Sequence, residues 1–166
     1  IVVVLVLLVT PAAALWHRHT HPDLLRSDPL SLRAIRPVGA PLYVPITLPD
    51  PGGDPAAIAT VRGGDLSALD VGTTRARAGL WLCRLVDGPV EGTLSERAAR
   101  AACATLVPID GTTGIVPNAT PAAQVMLRLA PQAPGRIRLS PVGVSYDDGS
   151  RSGTVPLGPT GTIVVR

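Results

Sequence analysis

The sequence predicts a mainly β domain, an antiparallel sandwich with one short helical insertion, preceded by an apolar N-terminal helix. Three observations carry the prediction. Apolar residues alternate with period two over several short runs, the pattern of half-buried strands. Turn residues punctuate the chain throughout, with 17 glycines and 18 prolines and no fixed repeat, which favours many short elements. A single alanine-rich run supplies the one helix, and no βαβ alternation accompanies it. Seven or eight strands are expected.

Composition sets the bounds. At 166 residues the chain has room for one compact domain and a targeting segment. Hydrophobic residues make up 46% and charged residues 16%, too apolar for a disordered chain and too often broken for a polytopic membrane protein. With two Trp, two Tyr and no Phe, the core must be built from Val, Leu, Ile and Ala. All 15 basic residues are arginine and the net charge is +3. Arginine without lysine, alongside abundant Ala, Gly, Pro and Val, is what a high-GC bacterial genome yields. The arginines sit singly or in pairs along the chain, as at Arg75/Arg77, Arg97/Arg100 and Arg136/Arg138. No nucleic-acid partner is expected, since phosphate tracking needs clustered cations and, for single strands, aromatic platforms.

Ile1 to Val9 is uninterrupted Val, Leu and Ile, and apolar character continues to Trp16. The chain opens at Ile1 and not at methionine, so this run is read as a lower bound on its length. A spanning helix needs roughly 20 apolar residues and a signal-peptide core about 7–15. Pro11 before Ala12-Ala13-Ala14 suits a cleaved signal peptide, whereas Trp16 suits the interfacial end of a retained anchor. Either way, residues 1–16 direct the chain to the membrane, 17–40 form a stalk, and 41–166 form the sandwich domain, outside the cytoplasm.

Within the stalk, Leu30 to Ile35 has the makings of a first strand. In Leu42–Leu48 the residues Leu42, Val44, Ile46 and Leu48 share a face, and Pro45 marks an edge strand. A turn at Asp50 to Pro55 leads to a short strand around Ala57 to Arg62, and Gly63-Gly64-Asp65 turns the chain again. Leu80 to Val86 places Trp81, Cys83 and Leu85 on one face. Thr93-Leu94-Ser95-Glu96 fits a capping box, and Arg97 to Ala104 has high helix propensity, with Pro108 and Gly111 ending the helix. Strands follow at Gln124–Leu129, Arg136–Leu139, Val142–Tyr146 and Thr162–Val165. Pro141 is read as a bulge or kink, and Asp147-Asp148-Gly149 as a hairpin turn.

The two cysteines, Cys83 and Cys103, read as a disulfide in an exported domain, with no C-x-x-C or Cys/His cluster to suggest zinc or redox work. The bridge would close a loop of about twenty residues, worth about 3 kcal/mol in the chain-entropy treatment, and would pin the helix to the sheet.

Arg136-Ile137-Arg138-Leu139, Val142-Gly143-Val144-Ser145-Tyr146, the Asp-Asp-Gly turn and Thr162-Ile163-Val164-Val165 together resemble the closing strands of immunoglobulin-like or fibronectin-III-like domains of bacterial envelope proteins. The likeness covers about a fifth of the chain. It implies an immunoglobulin-like sandwich and carries no catalytic residue.

His17, His19 and His21 alternate, so on an extended segment all three imidazoles face one way and are candidate transition-metal ligands. Arg18 sits among them and no fourth ligand is local. They are the only histidines, so the body beyond Pro22 has neither histidine nor lysine, and no Ser-His-Asp or Cys-His site is available there. No G-x-S-x-G, P-loop or H-E-x-x-H pattern occurs. Asp50 and Asp54 flank turn residues and could touch calcium, though no loop matches an EF-hand. Asn118-Ala119-Thr120 is a formal glycosylation sequon. The expectation is a non-enzymatic interaction or structural module of the cell envelope, without cofactor, working with a protein partner. A ligand-binding domain or a carboxylate-dependent enzyme is the alternative.

Overall fold

The computed structural model describes residues 31–48, 59–111, 113–115, 122–149 and 151–166, together with Leu25 and Ser27. Among these residues lie twelve strands and one α-helix. The strands are β1 (Ser31–Arg36), β2 (Leu42–Pro45), β3 (Ala59–Asp65), β4 (Arg77–Leu85), β5 (Leu94–Ser95) and β6 (Cys103–Pro108), then β7 (Thr113–Ile115), β8 (Ala123–Ala130), β9 (Gly135–Leu139), β10 (Val142–Asp147), β11 (Ser152–Leu157) and β12 (Thr160–Val165). The helix, α1, spans Glu96–Ala102, and a 3₁₀ turn spans Gly72–Thr74. The chain is mainly β. The apolar N-terminal stretch lies outside the described residues, and among those described no helix is long and apolar enough to cross a membrane.

The strands form three sheets, ordered β1-β12-β9, β11-β10-β3-β7 and β5-β2-β8-β4-β6. Alternation explains how they pack. In β8, Ala123, Val125, Leu127 and Leu129 join the large core, and in β4 Leu80 and Leu82 do the same. The opposite faces of β4 and β8 send Cys83, Leu85 and Met126 into a second, smaller cluster. The large core also receives Val61 from β3, Ile137 and Leu139 from β9, Val142, Val144 and Tyr146 from β10, and Ile163 and Val165 from β12. All three sheets thus bury their apolar faces in one shared core, as layered β architectures require.

Several expectations need correction. Gly63-Gly64-Asp65, expected as a turn, instead continue β3 and pair with Ser145, Val144 and Gly143 of β10. The sheets are antiparallel except for β1, which runs parallel to β12 over Ser31↔Thr160 to Arg36↔Val165. That approach is close: a Cβ at Gly161 would fall on the Leu32 carbonyl oxygen, so glycine is required there. Pro141 is neither bulge nor kink. It lies in the junction where the chain leaves β9, paired with β12, and enters β10, paired with β3 and β11. The bulge in β10–β3 pairing falls elsewhere, where Ser145↔Gly63 is followed by Tyr146↔Val61 and Arg62 is the extra residue. Pro45 does occupy a local edge, because β5 pairs with β2 at Leu42 and Tyr43 alone. The Asp-Asp-Gly turn joins β10 to β11, with Gly149 at φ +84.

The helix is also shorter and shifted. Its N-cap is Ser95, whose Oγ accepts the Ala98 N–H at 3.2 Å. Thr93, expected as the cap, accepts a hydrogen bond from Arg36 Nη2 on Oγ1 at 2.6 Å. Glu96, expected to complete the capping box, pairs with Arg100 one turn on, at 2.9 Å. The helix stops at Ala102, and the chain enters β6 at once. Seven residues of helix are marginal alone, and hydrogen bonding to β4 wins over alanine propensity.

Candidate functional site

Three features of the molecule can carry function: a cross-linked cluster, a cleft and a basic sheet face.

The Cys83–Cys103 disulfide is formed, with Cα atoms 5.3 Å apart. Its geometry depends on a bulge. Leu106 faces Cys83 across the β4–β6 pair, and strict alternation would then turn Cys103 to the opposite face. Between Arg84↔Thr105 and Leu85↔Cys103 the register shifts, so Ala104 is extra. The shift returns Cys103 to the side of Leu106, where it meets Cys83. The bridge fastens the end of α1 over a small cluster of Tyr43, Cys83, Leu85, Ala99, Cys103 and Met126. At the margin of this cluster Tyr43 and Trp81 meet edge to face, with centroids 5.8 Å apart. The Arg128 guanidinium lies 5.5 Å from the Trp81 ring and 6.0 Å from that of Tyr43. Arg128 Nε is buried without a hydrogen-bond partner among the described residues, and the electron-rich rings supply its compensating contact.

A cleft of about 270 Å³ opens beside the end of β2. Leu32, Val44, Ile46 and Val90 give it apolar walls, and Arg33 and Glu91 supply its charged groups. Two of its lining residues, Thr47 and Val90, are held by Gln124, fully buried in β8. The Gln124 amide donates to the Thr47 and Val90 carbonyls at 3.0 and 3.3 Å and accepts the Val90 N–H at 2.9 Å. Thr47 Oγ1 in turn accepts the Val125 N–H at 2.8 Å. The amide therefore ties the Val90 loop to the segment that follows β2 and leaves none of these groups orphaned. Sequence reasoning missed Gln124. The available signal was an amide in the midst of the apolar run of β8. Among the described residues, Glu91 is the carboxylate that lines the cleft.

The third feature is the outward face of the β1-β12-β9 sheet. Leu32 and Ala34 pack toward the core, so Arg33 and Ile35 point away, and Arg136 and Arg138 flank the buried Ile137 in the same manner. Register aligns Arg33, Thr162 and Arg138 in one row and Ile35, Val164 and Arg136 in the next. Arginines a hundred residues apart in sequence thus share a face, which their spacing along the chain did not disclose.

His17, His19, His21, Asp50, Asp54 and Asn118 lie outside the described residues. Among the described residues no three His, Cys, Asp or Glu side chains are grouped as a metal would need. Asp147 and Asp148 serve the hairpin: Asp147 accepts the Gly149 N–H and pairs with Arg62 at 2.6 Å, and Asp148 accepts the Arg151 N–H. Burial raises the pKa of the neighbouring Tyr146, with the Asp148 charge adding to the effect. Asp65 is held below the ordinary carboxylate range by hydrogen bonds from the Ser67 backbone and side chain.

No protein-family model, curated protein or solved structure matches the chain.

Proposed function

We propose that the chain is an extracytoplasmic β domain of the bacterial cell envelope, exported or anchored by residues 1–16, and that it acts without catalysis as an interaction or structural module. The observation that carries this reading is the Cys83–Cys103 bridge. A structural disulfide persists in oxidising compartments and is rare in the cytosol of ordinary bacteria. Here it holds a small helix–strand unit whose own apolar contacts are few. Exposed sheet surface then does the work, with a protein partner in the envelope. We read the layered β architecture more finely as an immunoglobulin-like sandwich, on the support of the closing strands β9 to β12 and their hairpin.

The test is alkylation of living cells with a thiol reagent before lysis, followed by non-reducing mass mapping of the Cys83 and Cys103 peptides. It is paired with protease treatment of intact spheroplasts. A linked peptide and external cleavage are expected. Two alkylated thiols in a protease-protected chain would sink the reading.

The cleft favours a second reading, a ligand-binding domain. Native mass spectrometry of the full chain, released in mild detergent, should then show a bound small molecule that Val90→Trp displaces. A chain of bare mass argues against it.

A further inference from the structure

We infer that the outward face of the β1-β12-β9 sheet docks on an anionic lipid surface, its arginines meeting headgroup phosphates; this rests on the proposed placement of the domain beside a membrane.

Neighbouring strands are about 4.8 Å apart and alternate residues about 7 Å apart along a strand. Arg33 and Arg138, aligned across Thr162, are therefore about 10 Å apart at their backbones, with Arg136 one step along β9. That spacing is close to the screening length at physiological salt, about 8 Å, so the charges act on an anion together. All three are exposed, and among the described residues no ion pair engages them. Among the described residues two acidic groups lie near the face: Glu91, which lines the same cleft as Arg33, and Asp70, which bridges Arg138 through the backbone. The Asp70 carboxylate already accepts the Gly72 N–H at 3.0 Å. Alternation beyond Val165 carries the exposed Arg166 toward the same side.

The lining between the arginines selects the partner. Ile35 is 54% exposed and lies level with Val164 in register, so the face offers aliphatic groups between its cations. Stacking platforms for bases are absent from its two central rows. Guanidinium groups pair bidentately with phosphate, and short aliphatic side chains settle at the headgroup level. Proximity supplies the rest. Residues 17–30 separate Trp16 from β1, a reach of at most about 50 Å even when extended. β1 is an outer strand of this sheet, so the face stays at high effective concentration near the lipid that receives residues 1–16.

The experiment is an arginine footprint of the full chain with phenylglyoxal, read by peptide mass. The chain is placed on vesicles of phosphatidylcholine alone and on vesicles with roughly one-third phosphatidylglycerol. A basic residue at an anionic surface gains about fivefold in occupancy, so Arg33, Arg136 and Arg138 should each be modified about fivefold more slowly on the anionic vesicles. The protection should vanish at ~1 M salt, where screening falls to about 3 Å, and Arg97 on α1 should react alike on both. In R33Q/R136Q/R138Q, with its fold checked by circular dichroism, Arg166 should lose its protection as well. Equal rates on both vesicles overturn the proposal and leave the face to an acidic protein. Flotation with the phosphatidylcholine vesicles tests the tether separately. A chain that fails to float there, yet is protected on anionic vesicles, keeps the face and loses the tether. A chain that floats without protection does the reverse.

Discussion

The five-stranded sheet separates two regions that hold together by different means. On one side, β2, β4 and β8 contribute Leu42, Val44, Leu80, Leu82, Val125, Leu127 and Leu129 to a core shared with both other sheets. On the other side, Tyr43, Cys83, Leu85 and Met126 meet a two-turn helix that offers Ala99 and little else. Apolar area closes the first region, since each fully buried aliphatic side chain contributes roughly 1.5–3 kcal/mol. Alanine buries too little to do the same in the second. There a covalent bridge substitutes for area, much as it does in small exported domains. The lesson is that one sheet can be half of an ordinary core and half of a stapled one.

The largest expected effect comes from the shared core. Leu129, fully buried, should cost about 4 kcal/mol when replaced by alanine, measured by urea denaturation, with all sheets losing stability together. Cys83→Ala with Cys103→Ala should cost about 3 kcal/mol, and the loss should be local. Amide exchange should quicken in α1 and β6 while β8 and β10 keep their protection. Uniform loss across the molecule would erase the distinction between the two regions. Gln124→Leu should cost roughly 2 kcal/mol by orphaning the groups of Val90 and Thr47, and should loosen the cleft, seen as faster exchange of the Val90 amide. Ser95→Ala removes the helix cap and should cost about 1 kcal/mol, seen as faster exchange of the Ala98 amide.

Titration sharpens the comparison from the other direction. Burial raises the Tyr146 pKa, and Tyr146 belongs to the shared core. Its ordinary value is about 10. Below that pH the phenol is neutral in both folded and unfolded chains, and its contribution is intact. As pH climbs from there through the raised folded value, the unfolded state releases its proton first and stability falls. Tyr146→Phe should flatten that alkaline decline in a pH series of thermal melts. An unchanged slope would assign the decline to another group.

How much of this was legible beforehand follows from the kind of signal each element sends. β2, β8, β9, β10 and β12 announce themselves by alternation, and Trp81, Cys83 and Leu85 were expected on one face, where they are found. β6 was hidden by a coincidence of spacing. A bulge at Ala104 puts Cys103 and Leu106 on one side three residues apart, which in sequence is indistinguishable from a helical step. The cap at Ser95 was obscured because Thr93 and Glu96 fit the same motif, and the competing bond from Arg36, 57 residues away, leaves no local trace. β11 was masked by Gly153 and Pro156, whose propensities speak against a strand that pairing with β10 nonetheless holds.

By itself, the sequence determined the β class, the Asp147–Gly149 hairpin turn and the cysteine pair. Alternation and turn chemistry are properties of neighbouring residues, and two cysteines allow one intramolecular bridge. The tertiary structure alone decided that β1 runs parallel to β12, that Ala104 is bulged out, and that Arg33 joins Arg136 and Arg138 on one face. Strand partners are chosen by burying non-local apolar surface, so which residues meet across a sheet is settled only when the whole core closes.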